Sequence, residues 1–349
     1  MKAYVVEQYG SIGLHDVPDP ATPEDGVVLK IHRCGACSSD VSAFRGTKKR
    51  QVLPFIPGHE YVGTVVDRGA RSLDLPLGTR IAIWGNTTFG GLAEYRAVRP
   101  QFSRSVGGDP SLSLSGHQED DCGSAVIIPD HLSDTIAVLI EPMTCVHRAL
   151  LSAPPVPGSN CVIMGAGPFG VMAALLLRAI FAPRRITLLE QNTQKISTLK
   201  QMGIIDFGFD DADAQSEEHD YVFDALGDVR FAQDEDNPRT RVMSALSPHA
   251  RYVPFGTPGQ EQQVNLTLMI AKGIRLQSAP WDIRVFPKGK TAAIMESVTK
   301  LLESDLLPAH ALVGDEISFY DEAHVDRLFR TYGSGDAFSK DQIVVQAQT

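Results

Sequence analysis

Features that mark several protein classes are scarce in this chain. Its five cysteines are an odd number spread over 349 residues, which argues against a disulfide framework and favours a reducing compartment. No apolar run approaches the ~18 residues of a membrane-spanning helix, and the first residues lack the pattern of a secretory signal. We therefore expect a cytoplasmic protein with no membrane partner.

Positive charge is also in short supply. The chain has 32 Lys and Arg against 42 Asp and Glu, which gives a net charge of −10. An acidic protein gains nothing from counterion release on nucleic acid and is not attracted to an anionic membrane surface. The charge therefore disfavours nucleic acid and an anionic membrane surface as partners.

Length and patterning indicate two domains. A chain of 349 residues is too long for one ordinary hydrophobic core. Residues 1 to about 100 alternate short β-type runs with Pro and Gly clusters, whereas strands alternate with helices after residue 153, as βαβ units do. Residues 101–126 show no clear period and are interpreted as a surface insertion, with Cys122 as an incidental thiol in it.

A glycine fingerprint marks the second domain. An apolar run at 161–164 predicts a buried strand, and Gly165, Gly167 and Gly170 follow it as GxGxxG before an apolar helix. These glycines permit a tight turn, close approach of a pyrophosphate, and close packing of helix on strand. Glu190 ends the next predicted strand, where a carboxylate accepts ribose hydroxyls and repels a 2′-phosphate. The pattern predicts a Rossmann domain that binds NAD.

The stretch CGACSSD, which begins at Cys34, raises three interpretations of its cysteine pair. A four-cysteine zinc cage would need a second pair, which the chain lacks, and a redox dithiol would need a thioredoxin-like context, which does not surround this stretch. The third interpretation uses one cysteine as a zinc ligand. His59 and Glu60 in PGHEYVG, and Glu141 in IEPMTC, could supply an imidazole and carboxylates.

Taken in order, the motifs CGACSSD, GHEYVGTVVDRG, GGLAEYRAV, IPDHLSD, IEPMTCVHRAL and GAGPFG resemble the zinc-dependent medium-chain dehydrogenase/reductase family, the alcohol and polyol dehydrogenase group. The resemblance spans nearly the whole chain outside 101–126. It implies an α/β fold, with a GroES-like β-rich catalytic domain at 1–153 and 284–349. It also implies a Rossmann cofactor domain, a doubly wound parallel sheet, at 154–283, and a homodimer or homotetramer.

The resemblance also implies a set of zinc ligands. Cys37 matches the thiolate ligand and His59 the imidazole ligand, whereas Cys34 is left to packing. Glu60 matches a carboxylate that binds zinc in some members and exchanges with water in others. Glu141 stands where simple alcohol dehydrogenases have cysteine and polyol or sugar dehydrogenases have glutamate. The expected substrate is therefore a polyol, sugar, cyclitol or similar small alcohol or ketone, and which glutamate binds zinc at rest is left open.

Two neighbouring residues complete the implied catalytic set. Ser39 matches the hydroxyl that takes the substrate proton, and Asp40 matches the acid that orients the histidine ligand. The implied reaction is hydride transfer between a secondary alcohol carbon and NAD, assisted by zinc and by proton transfer through Ser39. Ser42 replaces a histidine that relays this proton in many members, so the exit route is open. The stretch NTTF at 86–89 replaces a four-cysteine cluster, which predicts one catalytic zinc per chain and no structural zinc.

Three other functions are considered beside this one. An enzyme of the same fold could use NAD transiently for epimerisation, in which case NAD would stay bound and no NADH would be released. A zinc-free enoyl or quinone reductase belongs to the same family, but such chains generally lack the Cys, His and Glu set. A non-catalytic binding protein is disfavoured because both the ligand set and the glycine fingerprint are intact.

Overall fold

The computed structural model divides the chain into two compact units. It describes residues 1–47, 52–71, 75–85, 89–103, 122–215, 218–229, 237–256, 258–279, 288–304, 306–333 and 338–346. Unit 1 contains Met1–Thr144, Pro280–Gly335 and Ser339–Thr349, and unit 2 contains Cys145–Ala279 and Asp336–Phe338. The expected domain boundaries at 153/154 and 283/284 stay a prediction.

Strands and helices occur in both units. The strands are β1 (Lys2–Gln8), β2 (Ser11–Asp16), β3 (Val27–Gly35), β4 (Glu60–Arg68), β5 (Arg80–Trp84), β6 (Tyr95–Gln101), β7 (Cys122–Ile127), β8 (Asn160–Met164), β9 (Arg185–Leu189), β10 (Phe207–Gly208), β11 (His219–Asp224), β12 (Leu246–Pro254), β13 (Arg275–Leu276), β14 (Val313–Ser318) and β15 (Lys340–Val344). The helices are α1 (Ser38–Phe44), α2 (Asp134–Ala137), α3 (Ile140–Ser152), α4 (Pro168–Leu176), α5 (Thr193–Gln201), α6 (Ala212–Gln215), α7 (Pro238–Ser244), α8 (Leu266–Lys272), α9 (Lys288–Glu303) and α10 (Glu322–Thr331).

Unit 1 is built on a mixed sheet in the order β14-β15-β3-β4-β5-β7-β6. Strand β3 also pairs with β6, so the two ends of the β3-to-β6 series meet and the sheet curls on itself. The inward side chains of these strands form one apolar core with Phe44 and Phe329, whose rings contact edge to face at 5.5 Å. This core holds β3, β4 and β15 side by side, and the candidate metal ligands lie at their ends.

A buried polar network fixes α2 to the sheet. Asp134, the first residue of α2, accepts hydrogen bonds from Arg80 on β5 and lies 2.8 Å from Nδ1 of His32 on β3. The other imidazole nitrogen of His32 is 3.0 Å from the Thr64 hydroxyl. Because each of these charged groups is buried and paired, the network holds the turn that leads into α3 in place.

The ends of the expected insertion belong to the sheet. Strand β6 ends at Gln101 and β7 begins at Cys122, and the two strands pair in parallel. Cys122 is buried in β7, so its thiol packs within the fold. Short Ser- and Gly-rich strands such as CGSAVI carry little periodic signal, which is why the sequence did not reveal β7. Residues 104–121 lie outside the described residues.

Unit 2 contains a parallel sheet in the order β10-β9-β8-β11-β12-β13. Helix α4 follows β8, as a βαβ crossover requires. Strands β9 and β10 follow β8 towards one edge of the sheet, whereas β11, β12 and β13 lie towards the other edge. The strand order therefore reverses between β8 and β11. Ligands of such sheets bind beyond the carboxyl ends of the strands at this reversal. The α/β fold predicted from the sequence, a GroES-like unit and a Rossmann unit, is confirmed.

One helical stretch, Asp134–Ser152, has the length and mean hydropathy of a membrane span. Within its 18-residue window, 78% is buried inside the protein, as in the core helix of a globular protein. It also contains two acids, Asp134 and Glu141, and an arginine, Arg148. The stretch is weak support for a membrane span, and the cytoplasmic location stays a prediction.

Candidate metal and cofactor sites

The turn after β3 presents Cys37, Ser39 and Asp40 together. Cys37 is the N-cap of α1 with extended backbone angles (φ −128°, ψ 146°), and its thiol makes no capping hydrogen bond. Ser39 is exposed in the first helical turn, whereas Asp40 is buried. The N-cap position thus leaves the Cys37 sulfur available to the site, with a hydroxyl and a carboxylate close by in the chain.

Asp40 orients the imidazole of His59. The Nδ1 atom of His59 lies 3.1 Å from Oδ1 of Asp40, and the Gly58 amide donates to the same oxygen at 2.7 Å. The Phe89 ring stacks on the imidazole at 5.2 Å. Because Nδ1 is engaged, Nε2 is the nitrogen left to bind a metal, which is the arrangement found around metal-binding histidines.

The sequence-predicted ligands come together around His59. Ligand atoms of Cys37, Asp40 and His59 lie within 4.8 Å of one another, and so do those of His59, Glu60 and Glu141. All five residues belong to unit 1. Glu141 lies in the first turn of α3, and the polar network around Asp134 holds the start of this helix in place. Thiolate, imidazole and carboxylate are together a workable donor set for zinc.

Lys340 is a member of this site that sequence reasoning missed. It begins β15, is 1% exposed, and forms a buried ion pair with Oε1 of Glu60. The other carboxylate oxygen, Oε2, is buried with no hydrogen-bond partner among the described residues. A Cβ atom on Gly35 would lie 2.6 Å from that oxygen, so only glycine leaves room for it. Glu60 therefore has one oxygen held by lysine and one available.

The electrostatics of the cluster favour a cation. Burial alone would lower the pKa of His59, but the charges of Asp40 and Cys37 and their hydrogen bonds raise it well above its usual range. Burial alone would also lower the pKa of Lys340, but the negative charges of Glu60 and Cys37 raise it. The same negative electrostatic potential that holds protons on these buried bases also attracts a divalent metal ion. With the unpartnered Glu60 oxygen, this field fits zinc.

The glycine fingerprint has the geometry of a dinucleotide-binding turn. Gly165 has a φ of +92°, which favours glycine, and a Cβ on Gly170 would lie 1.9 Å from the Gly165 carbonyl oxygen. At Gly167, the N-cap of α4, a Cβ would meet nothing within 4 Å, and no side chain caps the helix. The start of α4 is therefore open beside Gly167 and has no side-chain cap, as a helix start that binds a phosphate requires.

Glu190 has two tasks at the end of β9. One carboxylate oxygen accepts the amides of Gln191 and Asn192 at 2.8 and 3.0 Å, and the other accepts the Ala166 amide at 2.8 Å. It thus fastens the fingerprint turn to the neighbouring strand. A carboxylate offers about four acceptor positions, so one remains for a ligand hydroxyl. Glu190 lines a cavity of about 1000 Å³ in unit 2.

The cations that line this cavity are paired. The ammonium group of Lys200 lies 2.8 Å from Oδ2 of Asp211, and the guanidinium of Arg241 lies 2.5 Å from Oδ1 of Asp210. Both pairs are partly exposed, so each is weak, but each cation has a carboxylate beside it. A 2′-phosphate in this cavity would therefore be repelled by Glu190, and the two cations would attract it only weakly because each is paired with a carboxylate.

A further loop beside the cavity is fixed by Arg239, which sequence reasoning also missed. Its guanidinium donates to Asp224, at the end of β11, at 2.7 Å, and to the carbonyl oxygens of Leu226 and Gly227 at 3.2 and 3.1 Å. The Tyr252 hydroxyl donates to the same carboxylate at 2.8 Å. These bonds hold the loop after β11, of which Leu226 lines the cavity.

Comparison with known proteins shows what this chain is similar to. Residues 23–106 match the model of the alcohol dehydrogenase GroES-like domain. L-threonine 3-dehydrogenase from Enterobacter sp. (strain 638) is 27% identical over 276 residues, which is 75% of this chain and 79% of that protein. The chain is therefore similar to the medium-chain dehydrogenase/reductase family, in agreement with the resemblance of its motifs. It is an oxidoreductase of the alcohol and polyol dehydrogenase group, as the sequence motifs predicted.

Solved structures of this family share the fold. Galactitol-1-phosphate dehydrogenase from Escherichia coli superposes with a TM-score of 0.77 at 19% identity and covers 99% of this chain and 100% of its own. A short chain alcohol dehydrogenase from Escherichia coli complexed with NADH has a TM-score of 0.76 at 17% identity, with 99% of both chains covered. At these identities the likeness concerns the fold.

Proposed function

We propose that this protein is a zinc-dependent dehydrogenase that transfers hydride between NAD and a secondary alcohol or ketone of a polyol, sugar, cyclitol or similar small molecule. The observation that carries the proposal is that two groups of candidate ligands in unit 1, Cys37 with Asp40 and His59, and His59 with Glu60 and Glu141, share His59. The names of relatives, L-threonine 3-dehydrogenase and galactitol-1-phosphate dehydrogenase, describe molecules with secondary hydroxyl groups and support this substrate class.

The residues of the cluster divide the work of holding the metal. Cys37, His59 and Glu141 would bind zinc, and Glu60 would do so with the oxygen that Lys340 leaves available. Bound zinc supplies Lewis-acid polarisation of an alcohol or carbonyl oxygen. One such zinc per chain is proposed. Residues 86–88, in the stretch where a structural zinc cluster is predicted to be missing, lie outside the described residues.

Ser39 and Asp40 would act on the proton and on the histidine. Ser39 is exposed two residues from the Cys37 ligand, so its hydroxyl can take a proton from a substrate alcohol and exchange it with water. Asp40 holds His59 in one orientation through the contact to Nδ1. Ser42 is half-buried on the same helix, and the route by which the proton leaves Ser39 is not assigned to it.

The function is tested by a spectrophotometric assay of the purified protein with NAD and a panel of secondary alcohols, among them polyols, sugar alcohols and cyclitols. We expect NADH to form with at least one of them and the activity to disappear after dialysis against a chelator and return with zinc. Substrate inversion at one carbon without NADH release would instead identify the epimerase. NADPH-linked reduction of an enone by metal-free protein would identify the zinc-free reductase.

The cofactor preference is assigned to Glu190. Replacing it with glutamine keeps one of the two oxygen acceptors of the turn and removes the negative charge that opposes a 2′-phosphate. We expect the ratio of kcat/KM with NAD to kcat/KM with NADP to fall by about tenfold or more in Glu190→Gln, because one charge contact is worth a few kcal/mol at a protein surface. Glu218→Gln, which removes an exposed acid outside the cavity lining, is the control. An unchanged ratio in Glu190→Gln would contradict the assignment.

We also propose a homodimer or homotetramer. Helix α8 and strand β13 of unit 2 expose three apolar side chains, Leu266, Ile270 and Leu276, which are 66%, 82% and 42% exposed. A second copy would cover such a surface. Sedimentation or light scattering of the purified protein gives the number of chains.

A further inference from the structure

A second, smaller cavity lies in unit 2, at the start of strands β8, β11 and β12. Its volume is about 230 Å³ and its lining includes Ser159, Tyr221, Ser247, Arg251 and Arg275. These residues lie at the amino ends of the strands, whereas the glycine fingerprint and Glu190 follow the carboxyl ends of β8 and β9. The cavity therefore has no part in the cofactor site.

An irregularity in strand pairing opens this cavity. His219 pairs with Leu246 and Tyr221 pairs with Arg251, so two steps along β11 correspond to five steps along β12. Between these paired positions β12 has four residues, 247–250, where β11 has only Asp220, and these four residues line the cavity. Bulges of this kind redirect side chains and are frequent next to binding sites.

Sheet register places two arginines side by side at the cavity. Arg251 on β12 is the register partner of Arg275 on β13 and of Tyr221 on β11, so the three side chains leave the same face of the sheet. Like charges on directly adjacent strand positions repel each other. Arg251 donates to the Pro154 carbonyl oxygen, and Arg275 has no hydrogen-bond or carboxylate partner among the described residues.

The acid that lines the cavity does not neutralise this pair. Asp220 accepts the Ser247 hydroxyl at 3.0 Å and the Asn160 amide at 3.0 Å, so each of its oxygens is engaged. With Asp220 counted, two guanidinium groups against one carboxylate still leave the lining cationic. An anion placed here would pair with the arginines and relieve their repulsion.

Tyr221 supplies an independent sign of a ligand. The residue is 1% exposed and lines the cavity, yet its hydroxyl has no hydrogen-bond partner among the described residues. Burial raises the pKa of this phenol, so the hydroxyl keeps its proton and is a donor. A buried hydroxyl without a partner is costly, and the cost disappears when an acceptor oxygen binds beside it.

We propose that this cavity, bounded by Tyr221, Ser247, Arg251 and Arg275, is a binding site for a small oxyanion that carries a phosphate or carboxylate group on a short body. Arginine pairs match such groups because the guanidinium presents several donors in a plane. The volume of 230 Å³ lies below the ~300 to 1,000 Å³ of drug-sized pockets, which limits the ligand to a small molecule. The site is independent of the proposed hydride transfer.

The test is calorimetric titration of the whole protein in phosphate-free buffer with inorganic phosphate, sulfate and succinate, each compared with chloride at equal ionic strength. Saturable binding is expected in the wild type. Arg275→Gln should weaken it by about tenfold or more, because a hydrogen bond to a charged group is lost. Tyr221→Phe should weaken it by a smaller factor. Tighter binding of phosphate than of succinate identifies a phosphate ligand, and the reverse order identifies a carboxylate.

Arg327→Gln is the matched control. Arg327 is an exposed arginine on α10 in unit 1, so this variant removes the same charge far along the chain and should bind as the wild type does. An anion that binds at the glycine fingerprint would persist unchanged in Arg275→Gln, which separates the two sites. Equal affinity in wild type and Arg275→Gln, or no saturable binding of any of the three anions, would overturn the proposal. Arg275 is exposed, so its replacement leaves the fold intact.

Discussion

Replacing Cys37 with alanine is expected to lower kcat/KM by about a thousandfold or more, because the Lewis-acid contribution of a catalytic zinc is several kcal/mol and each 1.4 kcal/mol is a factor of about ten. The variant should also lose zinc. It should bind NADH with nearly unchanged affinity, since the glycine fingerprint belongs to unit 2 and Cys37 to unit 1. The measurements are steady-state kinetics, metal content and fluorescence titration with NADH.

Cys34→Ala provides the matched control for this variant. Cys34 lies in the same CGAC stretch, but its side chain is 0% exposed in the core of unit 1. Burial raises the pKa of this thiol well above its usual range, with Asp40 and Glu60 acting in the same direction, so it stays protonated and is a poor metal ligand. Cys34→Ala should keep zinc and activity. Loss of zinc in Cys34→Ala, with zinc retained in Cys37→Ala, would reverse the assignment of the two cysteines.

Replacing Lys340 with methionine is expected to destabilise the metal-free protein by about 3 to 5 kcal/mol, because the buried Glu60 carboxylate loses the lysine that pairs with it. Lys2→Met, which removes a lysine from an exposed pair with Asp16, should change stability little. Denaturant unfolding of the chelated proteins measures both. The double variant Lys340→Met with Glu60→Gln should recover much of the loss, since no uncompensated charge remains.

Zinc distinguishes a site role of Lys340 from a purely structural one. In Lys340→Met both oxygens of Glu60 are available, so a bound cation would compensate its charge. Added zinc should therefore raise the melting temperature of Lys340→Met by more than that of the wild type. An equal zinc-dependent shift of the melting temperature in the two proteins would show that zinc binding does not depend on the ion pair between Glu60 and Lys340.

Features that depend on neighbouring residues could be predicted from the sequence, whereas contacts between residues far apart in the chain could not. The turn at Gly165, Gly167 and Gly170 is specified by neighbouring residues, because a strand, a tight turn and a helix start follow one another directly in the chain. Its φ of +92° at Gly165 and the close packing at Gly170 are what the GxGxxG spacing requires. The candidate metal ligands were predicted through the family resemblance, because their spacing in the sequence does not by itself place Cys37 or Glu141 near His59.

Lys340 and Arg239 were missed for a physical reason. Lys340 is 280 positions from Glu60, and only the pairing of β15 with β3 brings it to the site. A lysine at the start of a short strand near the chain end looks like an exposed residue, since charged side chains are rarely buried. Arg239 likewise reaches Asp224 only through the fold of unit 2. A buried ion pair leaves no periodic signal in either partner.

The zinc content of the purified, dialysed protein tests the central claim most directly. Elemental mass spectrometry, with protein concentration from amino-acid analysis, should give about one zinc per chain, as a single set of Cys, His and carboxylate ligands requires. The Cys37→Ala protein prepared in parallel should give none. A wild-type protein that contains no zinc, even when the metal is supplied during expression, would contradict the assignment of Cys37, His59, Glu60 and Glu141 as a zinc site.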